Sequence, residues 1–386
     1  MKQFQRDILN LIKSSITGEG TCISDDFSWN TLYHFAIKHQ LFSMLYYGAL
    51  NSKIDIPENL TDIFSKCSVI DHYQLDAVKI IFSAFEENKI DFLPVKGILL
   101  KSLYPKTDMR FMSDADILIK TEQYENIKSV MTDLGFEQTI ESDHEYVFKK
   151  GNVLYIELHK HLIPSYNKDY YDYYGTGWRL AHKTKTTRFE LTTEDHFIYL
   201  FTHYAKHYRD AGIGIKYLVD LYLVLSKQNP DVTYIEQELK KLRLYDFYKN
   251  TLNMLSVWFN GSSSTELTDF MTDRIFESGA YGTKQTSVIS QALKDSKSVS
   301  QKNVRKMQFF KLIFLPFKSM KVKYPFLNKL PFLLPVMWII RIFDTLLFKR
   351  SSIKNQKDRL TLITPEKISK YQQELNYVGL DFNFKE

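Results

Sequence analysis

The chain has 386 residues, of which 44% are hydrophobic and 25% are charged, and its net charge is +6 at pH 7. This composition is ordinary for a globular protein and is enough for two domains, or for one large domain with additions. Cys22 and Cys67 are the only cysteines, which excludes a disulfide framework and favours a reduced, cytoplasmic setting. The mild basic excess suits an anionic substrate, although it is also common in proteins that bind nothing acidic.

The N-terminal third is predicted to be helical. Apolar residues recur at helical spacing in residues 2–17, 28–50 and 62–88. The first of these helices is amphipathic but lacks a continuous apolar run and a small-residue cleavage site, so it is a poor signal peptide. We therefore assign residues 1–68 to an N-terminal helical extension that precedes the rest of the fold.

Residues 92–120 are predicted to form a strand, a turn, a short helix, a loop and a second strand. The first apolar run ends at the turn Lys96-Gly97, and the second strand contains Asp114 and Asp116. Alternate residues of a strand share a face, so these two carboxylates point the same way while the apolar residues between and after them point into a core.

Two carboxylates on one strand face repel each other unless a cation lies between them. Mg²⁺ prefers such oxygen ligands together with phosphate oxygens. Most D-x-D triplets are simply solvated, but here a glycine turn and a helix N-terminus lie upstream, and both allow a backbone to approach a phosphate. The pattern at Asp114 and Asp116 therefore indicates a metal and phosphate site.

A third acid lies in the strand predicted for residues 152–159. Alternation places Glu157 and His159 on the face opposite the apolar residues of this strand. A charge in an otherwise apolar strand is usually paired or bound to metal when it is buried. On a neighbouring strand, Glu157 would complete a two-metal site with Asp114 and Asp116 for in-line phosphoryl or nucleotidyl transfer.

The rest of this region predicts an α+β fold. A helix is expected over residues 121–134, followed by strands over 136–140, 145–149 and 152–159. These elements give a small mixed sheet with two or three helices, and we assign residues 69–163 to this core.

Several motifs occur together along most of the chain: Lys96-Gly97, Arg110, Asp114-x-Asp116, Glu157-Leu158-His159, His203-x-x-x-His207, residues 216–220 and residues 324–343. Together they resemble the DNA polymerase β-like nucleotidyltransferase superfamily and, within it, the bacterial group called uncharacterised nucleotidyltransferase family proteins. Three features depart from the superfamily pattern. The turn is Lys-Gly where the superfamily more often has Gly-Ser or Gly-Gly, its distance to the D-x-D motif is long, and the third acid is Glu where Asp is more usual.

The resemblance implies a polymerase β-like core and a Mg²⁺-dependent enzyme. Such an enzyme moves a nucleoside monophosphate from a nucleoside triphosphate (NTP) to an acceptor hydroxyl and releases pyrophosphate. Asp114, Asp116 and Glu157 are the implied catalytic residues and would hold two Mg²⁺ ions.

The residues around these acids are expected to bind the nucleotide. Lys96, Gly97 and Arg110 are expected to contact the phosphates, and Arg110 has the alternative role of holding the D-x-D carboxylates in place. His159 shares the face of Glu157 and is expected to orient it.

Residues 164–350 are predicted to form a larger, all-helical domain. The resemblance implies that His203 and His207, one turn apart on a helix, face the substrate. The alternative is a zinc site of the H-x-x-x-H type. Tyr204 stands where the zinc-protease motif needs Glu, however, and a third ligand at a convincing spacing is missing.

Asp220 lies in the otherwise apolar helix YLVDLYLVL, and two interpretations of it stay open. It is either an acid that binds substrate in a cleft, or a buried acid paired with a base such as Lys216 at position i−4.

Residues 324–348 are aromatic and apolar but contain prolines and charges, so their longest apolar run is too short to span a bilayer. They either lie on a membrane surface with flanking Lys and Arg at the headgroups, or form a helix pair packed on the helical domain. We favour the packed pair, because the apolar and basic residues lack a clean two-faced division. Residues 351–386 are assigned to a C-terminal tail with a short helix over 365–376.

The expected partners are an NTP and an acceptor that the sequence does not identify: a small molecule, a sugar, a peptide, a protein or RNA. The basic residues 296–323 give RNA some weight, although a solvated lysine-rich loop explains them equally well. The departures from the superfamily pattern leave one alternative, a catalytically inactive nucleotidyltransferase-fold scaffold in a biosynthetic or defence locus.

Overall fold

The computed structural model describes residues 1–25, 27–151, 154–297, 300–348 and 350–380. The chain forms two compact units. Unit 1 comprises Met1–Tyr208 and Ile213–Tyr281 with residues 378–380, and unit 2 comprises Arg209–Gly212 and Gly282–Tyr377. The division into 1–68, 69–163, 164–350 and 351–386 stays a prediction.

Unit 1 begins with four helices: α1 (Gln3–Thr17), α2 (Trp29–His39), α3 (Phe42–Asn51) and α4 (Glu58–Glu87). The single helix expected over residues 28–50 is therefore wrong. Gln40 adopts the left-handed conformation (φ 56°, ψ 43°), and the N–H of Leu41 donates to the carbonyl oxygen of Ala36. This Schellman-type end stops α2 without a glycine, so the usual glycine signal of a helix end is absent from the sequence here.

His39, the last residue of α2, is buried, and its Nε2 donates to the carbonyl oxygen of Phe276 at 3.0 Å. Burial lowers the pKa of His39 to about 4. Because this pKa lies below that of the unfolded chain, the stability that His39 supplies is complete above pH 6.5 and is lost as the pH falls toward 4.

Between pH 7 and pH 4, we expect the unfolding free energy of the wild type to fall by roughly 2–3 kcal/mol more than that of His39→Gln. Urea unfolding at a series of pH values measures this difference. His34→Gln changes an exposed histidine of the same helix and should follow the wild-type pH dependence. An unchanged pH dependence in His39→Gln would show that this ring is not a source of acid sensitivity.

The α+β class is confirmed by a five-stranded mixed sheet in unit 1. Its strands and the helices between them are β1 (Phe92–Pro94), α5 (Gly97–Leu100), β2 (Asp114–Ile119), α6 (Tyr124–Asp133), β3 (Glu137–Glu141), β4 (Glu145–Lys150) and β5 (Leu154–His159). The spatial order is β1-β2-β5-β4-β3, and only the β2–β5 pairing is parallel. The expected start of β5 at residues 152 and 153 lies outside the described residues.

The apolar face of the sheet packs against α4 and α6. Six side chains of β2 and β5 are fully buried in this core: Ala115, Ile117, Ile119, Leu154, Ile156 and Leu158. They occupy alternate positions, as the period of two predicts for a sheet with one apolar face. The acidic residues of β2 and β5 consequently lie on the other face.

Helices dominate the rest of unit 1. They are α7 (Lys168–Tyr174), α8 (Thr193–Asp210), α9 (Ile215–Gln228), α10 (Val232–Lys241), α11 (Tyr245–Phe259) and α12 (Glu266–Ser278), with a two-stranded sheet of β6 (His182–Lys183) and β7 (Phe189–Glu190) before α8. Thr192 caps the start of α8, because its Oγ1 accepts from the N–H of Asp195 at 3.1 Å.

Unit 2 is helical in its described residues. Its helices are α13 (Lys284–Asp295), α14 (Gln301–Ile313), α15 (Phe317–Lys323), α16 (Leu334–Phe348), α17 (Arg350–Thr361) and α18 (Pro365–Tyr377). The short helix expected over residues 365–376 corresponds to α18. Across the part of the chain that the structure describes, no helix combines the length and the apolarity needed to cross a bilayer.

Candidate functional site

The parallel pair β2 and β5 places two of the predicted acids side by side. Asp116 lies directly opposite Glu157 in the register, and Asp114 lies opposite Tyr155. Since parallel neighbours in register project to the same face, the carboxylates of Asp116 and Glu157 share the face away from the apolar core. Two acids 41 positions apart in sequence are thus neighbours because of the strand pairing.

Asp116 is the most engaged of the three acids. Its Oδ1 accepts a hydrogen bond from the Nζ of Lys96 at 2.6 Å and another from the Nε2 of His159 at 2.8 Å. The same Nε2 lies 3.6 Å from the Oε2 of Glu157. Burial opposes ionisation of Asp116, but Lys96 and His159 together hold the pKa of its carboxyl well below the usual range. Asp116 is therefore an anion whose charge is already partly balanced.

The other two acids carry charge less readily. Burial, reinforced by Asp116, raises the pKa of Asp114. Burial, reinforced by Asp114 and Asp116, raises the pKa of Glu157 to about 8. Three carboxyl groups thus lie in one partly buried site where their negative charges repel one another, and a bound cation would offset that repulsion.

Two groups among the described residues could hold a metal ion, with ligand atoms that all lie within 4.8 Å of one another. The first is Asp116, Glu157 and His159, and the second is His144, Glu145 and His159. Asp114 belongs to neither group. His144 and Glu145 were missed in the sequence, although the β4–β5 pairing that sets Glu145 opposite His159 follows from counting back along the predicted hairpin.

The turn after β1 has an unusual backbone at Lys96. Its φ of 54° and ψ of −126° lie in a region that favours glycine, at a cost of about 1–3 kcal/mol for another residue. Gly97 has an ordinary conformation, and a Cβ there would lie 3.5 Å from the Cγ of Met112, an ordinary contact. The strained residue is thus Lys96 and not the glycine. The same lysine contacts Asp116 through its ammonium group.

Arg110 and Asp220 form a buried pair. The Nε of Arg110 donates to both carboxylate oxygens of Asp220, at 2.8 and 2.9 Å, and the hydroxyl of Tyr104 donates to the same carboxylate at 2.7 Å. Asp220 is thus a buried acid paired with a base, as one of its two interpretations has it, but the base is Arg110 and not the suggested Lys216. Arg110 also donates through Nη1 to the carbonyl oxygen of Phe111, so its hydrogen bonds do not go to the D-x-D carboxylates.

Lys216 instead contacts the end of α2. Its Nζ donates to the Oε1 of Gln40 at 2.5 Å, and the Nε2 of Gln40 donates to the Oγ of Ser113 and the hydroxyl of Tyr281. Burial, reinforced by Arg110, lowers the pKa of Lys216 to about 7. Gln40, the left-handed residue that ends α2, thus also contacts Ser113, which directly precedes Asp114.

His203 and His207 of α8 lie beside each other, with their Nε2 atoms 3.1 Å apart. Burial lowers the pKa of His203 well below the usual range, and the ring of Tyr217 lies 5.9 Å from that of His203. The groups of described residues that could hold a metal include neither histidine. The described residues therefore offer no third ligand for the zinc alternative.

A family model described as "Uncharacterised nucleotidyltransferase" matches residues 25–260, more than half of the chain. No curated protein matches. A solution structure of the antibiotic-resistance factor ANT(2'')-Ia is similar over 48% of this chain and 97% of that chain, with 12% identity and a TM-score of 0.33. That likeness is too distant to add to the assignment.

Proposed function

The chain belongs to the uncharacterised nucleotidyltransferase family, and on that premise we propose that it transfers a nucleoside monophosphate from an NTP to an acceptor hydroxyl and releases pyrophosphate. The observation that carries the proposal is the register of β2 and β5, with Asp116 opposite Glu157 and Asp114 one strand repeat away. A set of acids on adjacent strands is suited to holding cations against phosphate oxygens.

The donor chemistry of the site fits Mg²⁺. The three proposed ligands, Asp114, Asp116 and Glu157, are carboxylates, and their mutual repulsion is the kind that a hard divalent cation offsets. When bound, two Mg²⁺ ions would stabilise the charge that develops on the phosphoryl oxygens during in-line attack. Glu157 is also proposed to help take the proton of the acceptor hydroxyl.

The cationic side chains around the acids are proposed to bind the nucleotide. Lys96 would exchange its contact with Asp116 for a phosphate oxygen, and the backbone of Gly97 borders the same turn. His159 would keep Glu157 and Asp116 in position through its Nε2. Arg110 is proposed to act mainly by fixing the loop before β2, since Asp220 already accepts its hydrogen bonds.

The helical side of the site is proposed to receive the base or the acceptor. His203 on α8 interacts electrostatically with Lys96 and His159, and His207 lies beside His203, which supports a position of this pair near the acids. Both cysteines are free thiols, which supports a reduced, cytoplasmic setting.

Calorimetric titration of ATP, GTP, CTP and UTP, each with Mg²⁺, tests the proposal. We expect one nucleotide to bind in a Mg²⁺-dependent manner, and its affinity to fall by at least about 100-fold in Asp114→Asn. Asp133→Asn, which changes an exposed acid at the end of α6, is the matched control and should bind like the wild type. If folded wild type bound none of the four nucleotides, the result would contradict the proposed enzyme activity and favour the inactive scaffold.

A further inference from the structure

The C-terminal basic segment, residues 301–350, carries more charge than the whole protein. It contains eleven Lys and Arg residues and one acid, Asp344, so its net charge is +10. The remaining residues contain 40 basic and 44 acidic side chains and carry −4, which gives the total of +6. The basic character of this protein therefore resides entirely in one segment of unit 2.

The same segment holds half of the exposed large apolar side chains. Of 22 such residues in the described part of the chain, eleven lie between positions 309 and 343. They come from α14, α15, α16 and the turns between them: Phe309, Phe310, Phe314, Val322, Phe326, Leu330, Phe332, Val336, Ile339, Ile340 and Phe343. Single exposed apolar residues are normal on a protein surface, but such a concentration marks an interaction site.

Helix α16 shows how the exposed residues are arranged. Val336, Ile339, Ile340 and Phe343 follow the spacing i, i+3, i+4, i+7, which places them on one stripe of the helix. Each of the four is between 47% and 60% exposed. This is the pattern of a face that a helix normally buries, and here it is open.

The opposite side of α16 is already packed within unit 2. Met337 is buried with Met320 and Leu327, and the Nε1 of Trp338 donates to the carbonyl oxygen of Leu315 at 2.9 Å. Arg341 donates to two carbonyl oxygens at the end of α14. The helix is thus fixed within unit 2 by one face, while its other face carries the exposed apolar stripe.

We propose that the C-terminal basic segment is a docking surface for an anionic lipid bilayer. The stripe of α16 and the exposed phenylalanines would enter the boundary between headgroups and acyl chains, while Lys and Arg reach the lipid phosphates. Charge complementarity selects this partner, because a segment whose sequence carries a net charge of +10 and whose described residues expose apolar side chains matches a surface that is negative outside and apolar beneath. The packed helix pair favoured from the sequence accounts for one face of α16 only.

Sedimentation of the full chain with vesicles tests the docking surface. We expect binding to vesicles that contain phosphatidylglycerol, weaker binding to phosphatidylcholine alone, and loss of binding to the anionic vesicles at high salt. The double variant Ile339→Ser with Phe343→Ser should bind the anionic vesicles at least about tenfold more weakly. Both residues are exposed, so circular dichroism and thermal unfolding should match the wild type.

Two controls separate the docking surface from other causes. The double variant Val69→Ser with Ile80→Ser removes equally exposed apolar residues of α4 and should bind vesicles like the wild type. Asp114→Asn should also bind normally, so vesicle binding does not depend on the proposed enzyme activity. Absence of binding to anionic vesicles at low salt would overturn the proposal, as would equal binding by the α16 variant. A change in self-association alone in that variant, measured by sedimentation velocity, would overturn it in favour of a second copy of the chain.

Discussion

Glu157→Gln is expected to raise the unfolding free energy of the metal-free protein by roughly 2–4 kcal/mol near pH 8, and also to abolish Mg²⁺-dependent nucleotide binding. The pKa of Glu157 rises from 4.5 to about 8 on folding, because the site is buried and Asp114 and Asp116 repel a third charge. The stability that protonated Glu157 supplies is complete below pH 4.5 and is lost as the pH rises through 8. Glutamine never ionises, so it avoids this loss but cannot bind a metal as an anion.

Urea unfolding in the presence of a chelator at pH 5 and pH 8 measures the effect. The difference between variant and wild type should be small at pH 5 and large at pH 8, since the wild-type carboxyl is protonated in the folded protein at the lower pH. Glu137→Gln, an exposed acid on the edge strand β3, should show no such pH dependence. A variant that gained no stability and still bound the Mg²⁺ nucleotide would remove Glu157 from the site.

A gain in stability with a loss of binding is the expected signature of a functional cluster of like charges. Asp116 raises the pKa of Asp114, and both raise the pKa of Glu157, an unfavourable arrangement that is typical of a site that binds a cation. The experiment therefore distinguishes a metal site from an ordinary polar strand face, where the same substitution would change neither the unfolding free energy nor nucleotide binding by much.

Features with a local cause were predictable from the sequence. The alternation of β2 and β5 follows from the period of a strand, so the core positions of Ile117 and Ile156 and the shared face of the acids could be predicted without knowing the pairing. The neighbouring positions of Asp116 and Glu157 required the further assumption that the two strands are adjacent, which the alternation within one strand does not supply.

Features that depend on distant contacts were not predictable. Lys216 was the local candidate partner of Asp220, yet the structure pairs Asp220 with Arg110, 110 positions away. The end of α2 at Gln40 carries no glycine or proline signal, and the side chain of Gln40 contacts Ser113, Lys216 and Tyr281 on distant elements. Sequence spacing describes neighbours along one element, whereas these contacts join different elements.

Asp220→Ala is expected to lower the unfolding free energy by about 3–5 kcal/mol. The side chains of Arg110 and Asp220 are only 6% and 2% exposed, so the substitution would leave a guanidinium group buried without its carboxylate. It would also leave the hydroxyl of Tyr104 without its acceptor. Urea unfolding at neutral pH measures the loss. Asp76→Ala, which breaks the exposed pair with Lys79, should change stability little.

The double variant Arg110→Met with Asp220→Leu separates the two roles considered for Arg110. Replacing both charges by apolar groups removes the unpaired buried charge, so most of the stability lost in Asp220→Ala should return. With stability restored, Mg²⁺-dependent nucleotide binding shows what Arg110 does. Binding close to that of the wild type would mean that the pair only fixes the loop before β2. If the double variant were folded but no longer bound the nucleotide, the loss could not be attributed to instability. Arg110 would then be assigned a role in binding the phosphates. If Asp220→Ala were as stable as the wild type, the pair would not hold this loop at all.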